Sequence, residues 1–169
     1  MRREAGFTLV ETMVALGLLL VVATGILPLG LIAMNSTENQ GHLMARTVEY
    51  AQDKLEQLMA LSYGDQTSDT RVFPAVDVGG TGLTIGGSSN PDAPVALYVD
   101  YLDVDGTLVP AVGTQAPNGL YYKRVWSVTQ AAPFLKQIAV TTTVRTAAAA
   151  GTGGLIPRAT VSVLKTSPF

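Results

Sequence analysis

The chain has 169 residues, a length that suits one modest domain plus an accessory segment. Charged residues make up only 14%, against ~25% in typical soluble domains, so we expect part of the chain not to face water. Eleven basic and thirteen acidic side chains give no electrostatic case for a nucleic acid partner. The lack of cysteine excludes disulfides, thiolate zinc sites and thiol nucleophiles, and His42 alone leaves little for a histidine metal site or a catalytic triad. The composition therefore argues against an enzyme.

The first predicted element is a membrane-spanning helix. From Phe7 to Met34 the chain is almost continuously apolar, and no Asp, Glu, Lys or Arg occurs from Thr12 to Thr37. A run of more than ~20 apolar residues can cross the ~30 Å hydrocarbon core of a bilayer as a helix. Arg2 and Arg3 precede the run, so the positive-inside rule places the amino terminus in the cytoplasm and the rest of the chain on the other side.

Two plainer interpretations of this segment compete: a secretory signal peptide that is later removed, and an uncleaved anchor. The apolar region of a signal peptide runs only about 7–15 residues and ends at a small-x-small cleavage site. The present run is longer, and neither Val22-Ala23-Thr24 nor Leu31-Ile32-Ala33 is a good site.

Neither interpretation explains Glu11, which lies among apolar residues near the cytoplasmic end of the run. A carboxylate among lipid tails costs ~2–3 kcal/mol or more at the centre of a helix, although less near its end. Such an acid calls for a positively charged partner. The alternative is that Glu11 snorkels to the lipid headgroups, which its position permits.

The residues around Glu11 read Gly6-Phe7-Thr8-Leu9-Val10-Glu11, after a short leader that contains Arg2 and Arg3. This pattern closely resembles the class III signal of type IV pilins and pseudopilins. The resemblance covers roughly residues 1–61 and implies that a prepilin peptidase cleaves after Gly6 and that the new terminal residue, Phe7, is methylated on its amine. It also implies that Glu11 assists assembly by pairing with the terminal amine of a neighbouring subunit.

We predict four segments: a leader at residues 1–6, a transmembrane and assembly half-helix at 7–34, an amphipathic half-helix at 35–63, and an exported β-rich domain at 64–169. Pro28 predicts a bend or local melting in the helix. An apolar stripe at helical spacing defines the second half of the helix, and polar residues fill its other face. The stripe consists of Met44, Val48, Ala51, Leu55 and Leu58. The polar face consists of Arg46, Glu49, Gln52, Asp53, Lys54, Glu56 and Gln57.

After Tyr63-Gly64-Asp65 the sequence changes to a loop, residues 64–94, with room for one short strand. Alternating patterns then predict strands at Val95–Val104, Thr107–Val109, Tyr121–Gln130, Leu135–Thr146 and Ala159–Thr166. Asp105-Gly106 and Asn118-Gly119 are turn signals, and Ala147–Gly154 is a small-residue loop. We therefore expect an α+β fold in which the long helix packs against a mainly antiparallel sheet, which is also the pilin fold that the resemblance implies.

Two smaller groups of residues suggest binding. Asp100, Asp103 and Asp105 lie close together beside a tight turn, as calcium ligands can, although a solvated hairpin explains them more simply. No other cofactor is expected. Trp126 with Tyr121 and Tyr122 could form a stacking surface, although aromatic strands more often belong to the core. Four basic residues would have to share one sheet face to contact DNA, and we do not favour a nucleic acid partner. They are Lys123, Arg124, Lys136 and Arg145.

The resemblance leaves the particular subunit open. The cysteine pair often found near the end of major pilins is absent. The sequence looks more like minor pilins of the pilus-modification type, in its helix from Met44 to Leu58 and in its strands such as Lys136–Arg145 and Thr160–Thr166. We expect a minor type IV pilin, placed at or near the tip of a pilus used in adhesion or motility. A minor pseudopilin of type II secretion is the alternative, and a membrane-anchored binding protein is a third. The implied partners are prepilin peptidase, other pilin or pseudopilin subunits, and the inner-membrane assembly platform. The implied location is the bacterial inner membrane, with the carboxy-terminal domain periplasmic, and then the filament.

Overall fold

The architecture comes from a computed structural model, which describes residues 8–75, 78–145 and 156–167, apart from the side chains of residues 35 and 36. Within these residues the chain forms one long helix and a five-stranded sheet. It divides into two compact units, residues 1–38 and 39–169. This division rests on contacts within the fold, and the four segments predicted from the sequence stay a prediction.

The helix, α1, runs from Leu9 to Ala60 and contains Pro28. Its ends lie close to the predicted limits, residues 7 and 63. Of the two effects predicted at Pro28, local melting is not found, because the helix is continuous through this residue, and the bend stays a prediction. A proline inside a helix removes only one backbone donor, so the remaining ladder of hydrogen bonds keeps the turn helical.

The strands are β1 (Gly86–Gly87), β2 (Val99–Leu102), β3 (Tyr122–Ala132), β4 (Leu135–Val144) and β5 (Arg158–Thr166). Every pairing in the sheet is antiparallel. β3 is central: β1 and β2 pair with successive parts of one of its edges, and β4 pairs with the other edge. β5 follows on the far side of β4. The predicted α+β fold, a long helix against an antiparallel sheet, is confirmed.

Three of the five predicted strands agree closely with β3, β4 and β5. The predicted strand Val95–Val104 is too long, because the chain turns at Leu97, which has a φ of 69°, and the strand begins at Val99. Thr107–Val109 is not a strand but contributes one isolated bridge, between Leu102 and Leu108. The loop predicted at 147–154 lies outside the described residues.

Within residues 39–169, one face of the helix packs against the sheet. The central core combines helix residues with side chains of β3, β4 and the loops before β1 and β2. It consists of Ala51, Leu58, Leu83, Tyr98, Trp126, Val128, Ile138 and Val140. Trp126 is fully buried and Tyr122 almost so. The expectation that aromatic residues of this strand belong to the core is therefore confirmed for these two rings, and they do not form a stacking surface.

The apolar stripe predicted for the helix is only partly right. Ala51 and Leu58 are fully buried, but Met44 is 46% exposed. Relative to the predicted stripe, the buried face of the helix is rotated and includes the polar side chains of Thr47 and Lys54. It consists of Leu43, Thr47, Tyr50, Ala51, Lys54 and Leu58. Thr47 satisfies its hydroxyl by donating to the carbonyl of Met44 at 2.7 Å. Lys54, which the sequence pattern placed on the polar face, is completely buried.

Candidate functional site

The start of the helix is closed by a reciprocal pair of hydrogen bonds between Thr8 and Glu11. The backbone N–H of Glu11 donates to Thr8 Oγ1 at 3.3 Å. Glu11 Oε2 in turn accepts from the backbone N–H of Thr8 at 3.1 Å and from its hydroxyl at 3.0 Å. This is a capping box, in which the side chains at the helix start satisfy amide groups that have no partner in the helix.

The residues around Glu11 form an apolar surface that nothing in the same unit covers. Leu9, Val10, Met13 and Val14 are all more than half exposed, and the same is true of the large apolar side chains onward to Met34. By length and composition α1 can cross a membrane. A surface of this kind is stable only in lipid or against other apolar helices.

Glu11 is therefore a carboxylate on an exposed apolar helix, and its described hydrogen bonds all fall on one oxygen. The capping bonds of Oε2 leave Oε1 in position to accept from a donor on another molecule. The other two residues singled out by the sequence pattern, Gly6 and Phe7, lie outside the described residues.

The first 27 residues match the family model described as the prokaryotic N-terminal methylation motif. This motif is the signal of type IV pilins and pseudopilins, so the resemblance seen in the sequence is confirmed for the amino-terminal segment. No curated protein and no solved structure matches the chain. The chain thus carries a pilin-type signal, which implies processing by prepilin peptidase and assembly with pilin-type subunits.

Together with the long apolar helix, the signal supports an inner-membrane anchor. It points to a structural subunit and not to an enzyme. The signal is shared by type IV pilins and by the pseudopilins of type II secretion.

A second polar group, not predicted from the sequence, lies between the helix and the sheet. Lys54 Nζ contacts Asp100 Oδ2 at 2.6 Å, and Arg124 binds the same carboxylate through Nε at 2.7 Å and Nη2 at 2.9 Å. All three side chains are almost completely buried. We call Lys54, Asp100 and Arg124 the buried ion cluster.

The buried ion cluster is completed by neighbours on both sides. Lys54 also donates to the carbonyl of Thr70, and its ammonium lies 4.5 Å from the ring centre of Trp126. Arg124 Nη1 donates to Asp53 Oδ2 at 3.0 Å, at the exposed rim of the helix. Every charge in the cluster is thus paired, as a buried ion requires.

The charges of the cluster fix the protonation of Asp100. Burial alone would raise the pKa of this carboxyl, but the ammonium of Lys54 and the guanidinium of Arg124 outweigh it and hold the pKa below its ordinary value of 3.8. Asp100 is therefore ionised at neutral pH. From β2 it binds Lys54 of the helix and Arg124 of β3.

The spacing of residues along the helix predicts that Lys54 is buried. Lys54 follows Tyr50 by four residues and precedes Leu58 by four, so it lies on the buried face. Its charge led to its assignment to the solvent side. Nothing in the spacing of Asp100 and Arg124 identifies their partners, because the register of β2 with β3 brings them opposite each other.

The three carboxylates considered for calcium bind different groups in the structure. Asp100 is held by its two cations, whereas Asp103 Oδ1 accepts from the backbone N–H of Asp105 at 2.9 Å and of Thr107 at 2.8 Å. The structure does not bring the three together, and among the residues that it describes no three His, Cys, Asp or Glu side chains form a metal-binding group. Calcium binding stays an untested hypothesis.

The four basic residues considered for DNA do not form an exposed patch. Arg124 and Lys136 are buried, and Lys136 Nζ donates to the carbonyls of Tyr63 and Leu83, each at 2.8 Å. Lys123 donates to the carbonyl of Pro91 at 2.9 Å. Three of the four cations thus bind groups within the domain.

Proposed function

We propose that this chain is a minor type IV pilin, a structural subunit that prepilin peptidase cleaves after Gly6 and that is incorporated at or near the tip of a type IV pilus. The observation that carries the proposal is the methylation motif at residues 1–27, which continues into a helix with an exposed apolar surface. The α+β fold of the remaining chain agrees with it. The missing cysteines favour a minor over a major subunit.

In this proposal, cleavage creates an α-amino group on Phe7 at the start of an apolar helix. Placed in lipid or among packed helices, this charge needs a carboxylate partner, and Glu11 of an adjacent subunit supplies one. The pairing fixes the axial register of neighbouring helices. The exported domain, residues 64–169, then lies in the periplasm and afterwards on the filament.

The test is intact-mass and amino-terminal peptide analysis of the protein from membranes, with and without a co-expressed prepilin peptidase. We expect a peptide that begins at Phe7 and is heavier by one methyl group only when the peptidase is active. A chain that keeps Met1 beside an active peptidase would rule out the pilin assignment and leave a membrane-anchored protein.

The alternative is a minor pseudopilin of a type II secretion system, because the methylation motif is shared by both systems. Expression of the processed chain in cells that contain only one of the two assembly machineries distinguishes them. Incorporation into sheared pili supports the minor pilin. Incorporation only into a pseudopilus formed by the secretion machinery supports the alternative.

A further inference from the structure

The two halves of the helix α1 are supported by different surroundings, and a short stretch between them receives little support from either. Residues 9–34 carry the exposed apolar surface, which lipid or other apolar helices can cover. From Leu43 onward one face of the helix packs against the sheet. Residues 35–42 lie between these parts, and no described residue among them belongs to the buried core. The boundary between the two compact units also falls here, after Glu38.

The described part of this stretch faces solvent. Of residues 37–42, Gln40 is half-buried and the other five are exposed. A Cβ at Gly41 would meet nothing within 4 Å. Most helical stability in proteins comes from the packing of one face of the helix against other elements. Residues 37–42 pack little, so their helix depends mainly on its own backbone hydrogen bonds.

The amino acids of the stretch are poor helix formers. It reads Asn-Ser-Thr-Glu-Asn-Gln-Gly-His. Apart from Glu38 and Gln40, its members rank low among helix-forming residues, and Gly41 ranks below all the others. The hydroxyl of Thr37 donates to the carbonyl of Ala33 at 2.9 Å, an arrangement that slightly weakens a helix and often bends it.

A stretch inside a helix opens only at a cost, because the opening creates two new helix ends. Here eight successive residues offset that cost. Each of them regains backbone freedom when it leaves the helix, and little packing is lost in exchange. The parts on either side differ, since the apolar half is held by its lipid or helix surroundings and the second half by the sheet.

We propose that residues 35–42 form a hinge, which opens reversibly from helix to irregular chain while the two flanking parts of α1 stay helical. As a helix the eight residues span about 12 Å, and fully extended they reach about 28 Å. Opening therefore lengthens the connection between the apolar half and the packed domain and lets the domain turn. The hinge rests on the described helix and does not depend on the pilin signal.

Distances between two spin labels test the hinge in the full chain, reconstituted in lipid nanodiscs. The chain has no cysteine, so the labels attach only to cysteines that are introduced. Gly30→Cys with Ala45→Cys brackets the hinge and excludes Pro28. Ala45→Cys with Ala60→Cys is the matched pair in the packed part, with the same separation along the chain. All three positions are exposed.

A continuous helix gives about 22 Å between the labelled backbone positions of either pair. We expect a single narrow distance for the pair in the packed part. For the pair that brackets the hinge we expect this distance together with a second, broad population from open molecules.

A stiffened helix provides the second measurement. Thr37→Ala, Asn39→Ala and Gly41→Ala together replace three poor helix formers by the best one. We expect this variant to lose the broad population and to show amide hydrogen exchange at residues 37–42 that is about tenfold slower or more. Gly25→Ala, in the apolar half, also has space for a Cβ and is the matched control, which should leave both measurements unchanged.

Three results would overturn the proposal. The first is a single narrow distance for both label pairs in the chain without the stiffening substitutions. The second is amide exchange at residues 37–42 that is as slow as in the packed part of α1. The third is a broad population that persists in the stiffened variant, since opening would then not depend on the helix propensity of residues 35–42.

Discussion

Two properties of Glu11 are separable by single substitutions. The carboxylate caps the helix through Thr8, and in the proposed filament it also neutralises the amine of a neighbouring subunit. Glutamine can take the place of glutamate in a capping box but carries no charge. The comparison of Glu11→Gln with Glu11→Ala therefore distinguishes local helix stabilisation from pairing between subunits.

We expect Glu11→Gln and Glu11→Ala to reduce incorporation into filaments equally, by an order of magnitude or more, while membrane insertion and cleavage after Gly6 continue. The measurement is the amount of processed subunit in sheared filaments relative to the membrane. Thr8→Ala, which removes the cap but keeps the charge, is the matched control and should assemble better than either variant. Rescue of assembly by glutamine would assign Glu11 a capping role alone.

Asp100 is the carboxylate that the two cations of the buried ion cluster share. Asp100→Asn leaves Lys54 and Arg124 without their buried counter-charge, which should lower the free energy of unfolding by about 3–5 kcal/mol. Trp126, the single tryptophan, reports the unfolding of the domain by fluorescence in denaturant. Asp53→Asn is the control: its side chain is 54% exposed, so a loss of under about 1 kcal/mol is expected. Equal effects of the two substitutions would contradict a structural role for the cluster.

The pH dependence of stability follows from the same carboxylate. The pKa of Asp100 is lower in the folded chain than its ordinary value of 3.8, so its contribution is complete above that value and is lost as the pH falls through the folded pKa. Asp65 and Asp69 act in the same direction, because hydrogen bonds from their neighbours outweigh burial and lower the pKa of each carboxyl. We expect denaturant midpoints to fall below about pH 4, and to fall less steeply in Asp100→Asn. A steep loss between about pH 6 and 8, where histidine titrates, would point to other groups.

Among the secondary-structure elements, the short strand β1 has a backbone geometry that allows only glycine at position 87. Gly87 has a φ of +80°, and a Cβ there would lie 2.2 Å from the carbonyl oxygen of Trp126. Any side chain must therefore separate β1 from β3 or move the backbone that carries Trp126. This explains why two glycines form a strand, although glycine is usually depleted in strands.

We expect Gly87→Ala to destabilise the domain by at least about 2 kcal/mol, since it combines a left-handed backbone with a backbone clash. Gly64→Ala is the matched control, because nothing lies within 4 Å of a Cβ at that position and its φ is not in the left-handed region. Denaturant unfolding followed by Trp126 fluorescence compares the two. Similar midpoints for both variants would show that β1 does not pack against β3 as described.

For the molecule as a whole, the packed core and the exposed apolar helix belong to different parts of the chain. Within the described residues, the buried apolar core contains no residue before Leu43, and the large apolar side chains from Leu9 to Met34 are exposed. The first unit therefore adds nothing to the described core. Its apolar surface can lie in lipid or pack against other apolar helices.

A chain that starts at Asn39 should accordingly remain folded in water without detergent. We expect cooperative unfolding and the blue-shifted fluorescence of a buried Trp126, with stability within about 1 kcal/mol of the full chain in micelles. Asp100→Asn in the shortened chain serves as the control for a weakened core. Fluorescence typical of exposed tryptophan in the shortened chain would mean that residues 1–38 are needed for folding.

Much of this protein can be predicted from local patterns. The charge-free run, Glu11 and the glycine–phenylalanine pair lie within one short segment, and period-two alternation is sufficient for β3, β4 and β5. These features depend on neighbouring residues alone, either through the solvent that a segment prefers or through the spacing of its side chains. For that reason the pilin-type signal and the α+β fold are both predictable from the sequence.

Other features require the tertiary structure, because they depend on residues far apart in the chain. Local patterns place Lys54 on the solvent face of the helix, Asp100 in a solvated hairpin and Arg124 on a strand, yet the fold brings all three into one ion cluster. Pairing requirements of this kind arise only where charges leave water together, and the sequence does not show which groups become buried at the same point. The position of β5 is similar, since it ends the described part of the sheet only because of the order in which the strands pair.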